Sequence, residues 1–81
     1  MKKQITTKMI EDKKINERKR IGEAIVTMRT IKRMTQEELG NKSGILRTHI
    51  SRIEQGRYSV GLDTLSKIAE ALDCKIDLID K

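Results

Sequence analysis

The sequence predicts an all-α domain of four short helices, and three features support this. The 81-residue chain has no proline, phenylalanine or tryptophan and only one tyrosine. Its core must therefore be built from Ile, Leu, Met, Val and Ala, a set that favours helices on local propensity. Apolar residues recur every three or four positions in successive segments, which is the helical period. A capping motif and single glycines separate these segments.

The positive charge is concentrated in the N-terminal part of the chain. Lys and Arg number 18 against 12 acidic residues, for a net charge of +6. Residues 1–33 hold 11 basic and 4 acidic side chains, whereas residues 34–81 hold 7 and 8. Such an excess suits a polyanionic partner, either nucleic acid or an anionic membrane surface. We divide the chain into a basic N-terminal extension (1–18), which is either an arm without a stable fold or a helix when docked, a folded domain (19–73) and a C-terminal tail (74–81).

Several classes of protein are disfavoured by what the sequence lacks. No apolar run is long enough to span a membrane, and no signal-peptide pattern is present. The single cysteine, Cys74, cannot form an internal disulfide. We therefore expect its side chain to be a small buried hydrophobic group and the protein to lie in a reducing, cytoplasmic setting. His49 has no second His, paired Cys or nearby acid at ligand spacing, so we expect neither a metal nor a cofactor. Catalysis needs convergent titratable groups in a pocket, which disfavours an enzyme.

Helices one and two are predicted from an apolar stripe and a capping box. Helix one covers residues 18–33. In the capping box, the Thr35 hydroxyl accepts the Glu38 amide while the Glu38 carboxylate returns to the Thr35 amide. Helix two then runs to about Ser43, where Gly44 supplies the left-handed conformation that ends it. The stripe of helix one contains Ile21, Ala24, Ile25, Met28 and Ile31 or Lys32.

Helices three and four and the tail follow from the same periodicity. In helix three, Arg47 to Gln55, Ile50 and Ile53 must point inward, and Gly56 closes the helix. The opposite face carries Arg47, Thr48, Ser51, Arg52 and Gln55. The stripe of helix four carries Leu62, Leu65, Ile68, Ala69 and Leu72. In the tail, Ile76 and Leu78 alternate with Lys75, Asp77 and Ile79, which predicts a short strand covering the end of helix four. The alternative is an irregular tail in which Ile76 and Ile79 fold back on the domain.

Helices two and three together form a helix-turn-helix pattern. Two short helices are joined by a three-residue turn containing Gly44, and the second helix exposes a polar, basic face. Such a turn lets the first helix brace against the core while the second enters the DNA major groove. The predicted core consists of Ile21, Ile25, Met28, Leu39, Ile50, Ile53, Leu65, Ile68 and Leu72.

The sequence resembles the phage repressor and Cro-like, or Xre-type, DNA-binding domains over residues 21 to about 73. The matching segments are IGEAIVTMR, TQEEL with GI, ISRIEQG and LDTLSKIAEAL. The resemblance implies a four-helix repressor-like domain that binds double-stranded DNA sequence-specifically as a transcriptional repressor or autoregulator. It also implies a homodimer on a palindromic operator. The strand-like tail, with its IDLI segment as the candidate two-fold contact, is similar to antitoxin-type members.

The resemblance also assigns roles to individual residues. It implies that Gln36 contacts a phosphate, that Gln55 and Arg57 meet the DNA backbone, and that Arg29 pairs with Glu54. It also implies that exposed residues of helix three contact the base edges. These residues are Arg47, Thr48 and Arg52, and Ser51 lies on the same face.

Gly40 and Leu46 depart from the family pattern, and Leu46, His49 and Tyr58 each have two interpretations. Gly40 replaces a usual alanine, which weakens helix two. Leu46 replaces a Ser or Thr cap, at a cost of about 1 kcal/mol, and either contacts a thymine methyl or is a tolerated imperfection. His49 is either a phosphate neighbour or plain surface. Tyr58 either stacks on sugar-phosphate or packs under its loop.

A protein-binding module is the main alternative function. The chain could be an antitoxin whose N-terminal extension wraps a toxin, or an adaptor that bridges other proteins with the same four helices. Co-purification with a second small protein at fixed stoichiometry favours the antitoxin, whereas a homodimer that binds specific DNA favours the repressor.

Overall fold

The computed structural model describes residues 7–57 and 59–80, with side chains from residue 16 onward. These residues form four α-helices and no strand, which confirms the all-α prediction. Helix α1 begins 11 residues before the predicted start of helix one and crosses the expected boundary between extension and domain. The helices are α1 (Thr7–Ile31), α2 (Gln36–Ser43), α3 (Arg47–Glu54) and α4 (Leu62–Ala71).

Helix α2 begins and ends where the sequence predicted. The Glu38 amide donates to the Thr35 hydroxyl at 3.0 Å, and the Thr35 amide donates to the Glu38 carboxylate at 3.1 Å. These two bonds satisfy amides that have no partner within the helix. Gly44 has a φ of 75° and donates its amide to the Gly40 carbonyl. A residue with a side chain is strained at this φ, so Gly44 is suited to the sharp turn between α2 and α3.

The core is a single aliphatic cluster shared by all four helices. Helix α3 packs against α1 and α2, and α2 also packs against α4. Ile21, Met28 and Leu65, which were predicted as core, are half-buried and pack against this cluster. The buried set confirms the other six predicted positions and adds Ala71. Its members are Ile25, Leu39, Ile50, Ile53, Ile68, Ala71 and Leu72.

Four apolar predictions are wrong, three of them near the ends of elements. Ala24 was placed on the stripe of helix one but is exposed within α1. Ile31 and Leu62 were placed on core-facing stripes but are 65% and 69% exposed. Ile31 is the last residue of α1 and Leu62 is the first of α4, so neither lies over the core. The predicted C-terminal strand is absent from the described residues, in which 74–80 have no regular secondary structure. Leu78 is 99% exposed and does not cover the end of α4.

Candidate nucleic-acid interface

Helix α3 turns its two isoleucines into the core and its cations outward. Ile50 is 0% exposed and Ile53 is 2% exposed, while Arg47 and Arg52 lie on the open surface. At about 100° per residue, the polar positions cover an arc of roughly 140° opposite the isoleucines. Within the described chain, neither arginine has a side-chain hydrogen bond or ion pair, so both guanidinium groups are available to a partner. The rest of this face is formed by Thr48, Ser51 and Gln55.

The turn before α3 holds the helix close to α2. A Cβ atom on Gly40 would lie 2.8 Å from the Ile45 carbonyl oxygen, so glycine at this position allows close contact between the turn and α2. The sequence interpretation treated Gly40 only as a weakness of helix two and missed this contact. Leu46 stands at the N-cap of α3 without a side-chain cap bond and is 75% exposed. Its side chain therefore projects beside Arg47 at the leading end of α3.

A charged network behind α3 joins three helices. The Arg29 side chain donates to Glu54 twice, from Nε to Oε2 at 2.8 Å and from Nη2 to Oε1 at 3.1 Å. Arg29 Nη1 also donates to the Met34 carbonyl at 2.9 Å. The Glu54 side chain is only 4% exposed, and that of Arg29 is 17% exposed. The network thus fixes the end of α3 relative to α1 and to the start of α2.

Gln36 belongs to this network as well as to the predicted phosphate contacts. Its Nε2 donates to Glu54 Oε1 at 2.8 Å. The bond spans 18 positions in sequence, and no local pattern in the sequence identified it. One hydrogen of the Gln36 amide is thereby occupied, and its second N–H, at the N-terminus of α2, remains for another acceptor.

Two of the remaining predicted contact residues, Gln55 and Arg57, lie at the end of α3. Gln55 Nε2 donates to the Ser51 hydroxyl at 3.1 Å, which links two neighbours on the exposed face. Arg57 is exposed, and its amide donates to the Arg52 carbonyl. His49 is half-buried at the flank of α3. Tyr58 lies outside the described residues, so both of its interpretations stand as predictions.

Neither a metal-ion cluster nor a membrane-spanning helix occurs among the described residues. No group of three or more His, Cys, Asp or Glu side chains there is arranged to hold a metal ion. No helix in that part of the chain is long and apolar enough to cross a bilayer. Cys74 is a half-buried thiol whose Sγ lies 3.4 Å from the Leu72 carbonyl.

Two short helices joined by a tight glycine turn, with the second presenting a polar, cationic face, define a helix-turn-helix unit. Comparison with known proteins agrees with this class. A family model described as "Helix-turn-helix" matches residues 25–79. The chain belongs to the Xre and Cro-like family of helix-turn-helix DNA-binding regulators, which are not enzymes.

Individual relatives include bacterial and phage proteins. An HTH-type transcriptional regulator of Sinorhizobium fredii is 39% identical over 61 residues, which cover 75% of this chain and 31% of that protein. The immunity repressor protein of Bacillus phage phi105 is 32% identical over 59 residues, covering 73% of this chain and 41% of the repressor. An ImmF control region 10 kDa protein of the same phage is 34% identical over 61 residues, which cover 75% of this chain and 68% of that protein. The chain therefore spans less than half the length of the first two relatives.

Proposed function

We propose that this protein is a sequence-specific repressor or autoregulator that inserts α3 into the major groove of double-stranded DNA. The observation that carries the proposal is the division of α3 into a buried aliphatic face and an exposed face with two unpaired arginines. The major groove admits one α-helix, and an arginine can donate two hydrogen bonds to the O6 and N7 atoms of guanine. The similarity to a phage immunity repressor supports repression as the outcome.

The contacts divide into base readout and backbone positioning. Arg47, Thr48, Ser51 and Arg52 read base edges from the exposed face of α3. Leu46 contacts a thymine methyl, since its exposed aliphatic side chain stands beside Arg47. Phosphates are bound by residues that flank α3, namely Gln36, His49, Gln55, Arg57 and Tyr58.

Binding-site selection from a random duplex library, followed by footprinting of the selected site, tests this function. A protected site with two symmetric halves supports it, and the absence of any enriched sequence contradicts it. The alternative, an antitoxin or adaptor, predicts instead a second small protein at fixed stoichiometry. The unpaired cations on α3 favour DNA as the partner over such a protein.

Arg47→Ala is expected to weaken binding to the selected site by about 1 to 3 kcal/mol, which is roughly 5- to 150-fold. The loss on random duplex DNA should be smaller, because base-edge contacts contribute to specificity. Fluorescence anisotropy on both duplexes measures the difference. Lys67→Ala, which removes an exposed cation from α4, is the control and should change neither the affinity for the selected site nor that for random duplex DNA. An equal loss on both duplexes would assign Arg47 to a phosphate.

We also propose that the protein binds as a homodimer. One recognition helix reads only a few base pairs, and paired half-sites about one helical turn apart supply the missing specificity. An apolar groove of about 350 Å³ lies between α1, α4 and the tail, with Ile21, Met28 and Leu65 in its walls and Ile79 at its edge. Beside it, Leu78 is exposed, and a two-fold contact would bury each tail in the partner's groove.

Leu78→Glu is expected to shift the protein from dimer to monomer in sedimentation velocity, because it introduces a charge into the apolar contact. Binding to a site with two half-sites should weaken, while binding to a single half-site should not. Leu62→Glu, at another exposed leucine, is the matched control and should leave the dimer intact. A Leu78→Glu protein that remains dimeric would exclude the tail as the interface.

A further inference from the structure

Helix α1 crosses the end of α3 in direct backbone contact, and two glycines allow the approach. A Cβ atom on Gly22 would lie 2.5 Å from the Glu54 carbonyl oxygen. A Cβ atom on Gly56 would lie 2.9 Å from Cγ of Lys19 and 3.0 Å from its Cα. Gly56 also has a φ of 71°, which disfavours a side chain there. The stem of Lys19 therefore lies directly against the backbone that ends the recognition helix.

This crossing gathers cationic and polar groups from two helices. Lys19 on α1 and Gln55 and Arg57 after α3 are all exposed. Within the described chain, neither Lys19 nor Arg57 has a side-chain hydrogen bond or ion pair. The acid nearest to Arg57 in sequence, Glu54, has both carboxylate oxygens engaged by Arg29 and Gln36. The positive charge at the crossing is thus not neutralised by that carboxylate.

The neighbouring Arg20 differs from Lys19 in this respect. Its guanidinium binds the Glu17 carboxylate, with Nη2 2.8 Å from Oε2. That hydrogen bond, together with the charge of Glu17, raises the pKa of Arg20 above its ordinary value. Arg20 is therefore paired, whereas Lys19 has no acidic partner among the described residues.

A purely structural role for Lys19 would be to neutralise the negative end of the α3 dipole. Three of the last four carbonyls of α3 already have backbone donors. Ser51 accepts the Gln55 amide at 3.1 Å, Arg52 accepts the Arg57 amide at 3.2 Å, and Ile53 accepts the Gly56 amide at 3.0 Å. The Lys19 ammonium is therefore not needed to cap these three carbonyls.

We propose that Lys19 and Arg57 form a phosphate-binding site at the crossing of α1 and α3, which clamps one backbone phosphodiester at the edge of the half-site. The inference rests on the proposed DNA-binding function and extends the interface beyond the helix-turn-helix to α1. The site takes a phosphodiester because two unpaired cations and the Gln55 amide can converge on its oxygens without reading a base. It adds affinity and fixes the angle of α3 in the groove.

The test measures affinity as a function of salt for Lys19→Gln on the selected site and on random duplex DNA. Loss of one phosphate contact should lower the slope of log affinity against log salt by about 0.9. The loss of affinity should be the same factor on both duplexes. Lys19→Arg should retain the wild-type slope, and Lys67→Gln is the control for loss of an exposed cation elsewhere.

Three results would overturn the proposal. An unchanged slope would show that Lys19 does not reach a phosphate. If Lys19→Gln lowers the midpoint temperature of unfolding and leaves the salt dependence of binding unchanged, Lys19 stabilises the end of α3 and does not bind DNA. Loss confined to the selected site would assign it to base readout. If the wild-type protein binds no duplex, the proposed DNA-binding function is wrong. If Arg47→Ala weakens binding and Lys19→Gln does not, only the proposed phosphate site is wrong.

Discussion

Replacing Arg29 with methionine is expected to lower the free energy of unfolding by about 3 to 5 kcal/mol, because it leaves a buried carboxylate without its counter-charge. The Glu54 side chain is 4% exposed and accepts two hydrogen bonds from Arg29. The bond from Gln36 would remain, but a neutral amide cannot balance the charge. The Met34 carbonyl would also lose its donor. Urea unfolding followed by far-UV circular dichroism measures the change.

Two further variants separate this explanation from a general loss of packing. Lys32→Met removes an exposed cation from the region just after α1 and should change stability by no more than about 0.5 kcal/mol. The double variant Arg29→Met with Glu54→Leu should recover much of the loss, since replacing both members of a buried pair with apolar groups is often close to neutral. A single Arg29→Met variant as stable as wild type would show that water or another group solvates Glu54.

The helix-turn-helix was predictable because its signals are local. The Thr35 and Glu38 capping box lies within four residues, and the left-handed end of α2 requires a residue such as Gly44. The inward direction of α3 needed only the three-residue spacing of Ile50 and Ile53. Each of these features depends on neighbours in sequence, so periodicity and capping rules were sufficient to identify them.

The length of α1 was missed because its N-terminal half has no apolar stripe. A helix that is already nucleated by packing can extend by one hydrogen bond per added residue, without a new nucleation cost. The extension from the predicted start back to Thr7 therefore requires no buried face. Periodicity detects the part of a helix that carries an apolar stripe, and it does not detect a continuation without one.

Errors at Ile31, Leu62 and Leu78 share a different cause. A stripe gives the direction of a side chain around its helix but not whether another element covers that position. Val60, in the loop before α4, packs against the core while Leu62 is exposed. The alternation in the tail indicates a strand only if a second strand is available for pairing, and the described chain contains none.

The contacts that organise the candidate interface were the least predictable. The Arg29–Glu54 pair came from family resemblance, and the bond from Gln36 to Glu54 joins positions 18 apart. The contact between Lys19 and Gly56 joins helices that are distant in sequence. Such contacts depend on how the helices cross, and a single sequence carries no local signal for them except glycines at the crossing points.

Ile50→Ala is expected to lower the free energy of unfolding by about 2 to 5 kcal/mol, through lost burial and a residual cavity. Ile50 is 0% exposed and belongs to a core of only seven buried residues among those described. Gly40 lies beside it, with the position of its absent Cβ 3.6 Å from Cδ1 of Ile50. A core of this size, built without large aromatic residues, has few side chains that can move to fill the space.

The matched control for Ile50→Ala is Leu46→Ala, a similar truncation four residues earlier at a side chain that is 75% exposed. It should change stability by no more than about 0.5 kcal/mol, since neither leucine nor alanine provides a side-chain cap. The order of the two effects should be reversed when DNA binding is measured instead of stability. With both variants assayed below their unfolding transitions, Leu46→Ala should weaken binding to the selected site, whereas the folded fraction of Ile50→Ala should bind with near wild-type affinity. Equal stability of Ile50→Ala and wild type would mean that α3 faces the core with a different register, which would also remove Arg47 and Arg52 from the proposed reading face.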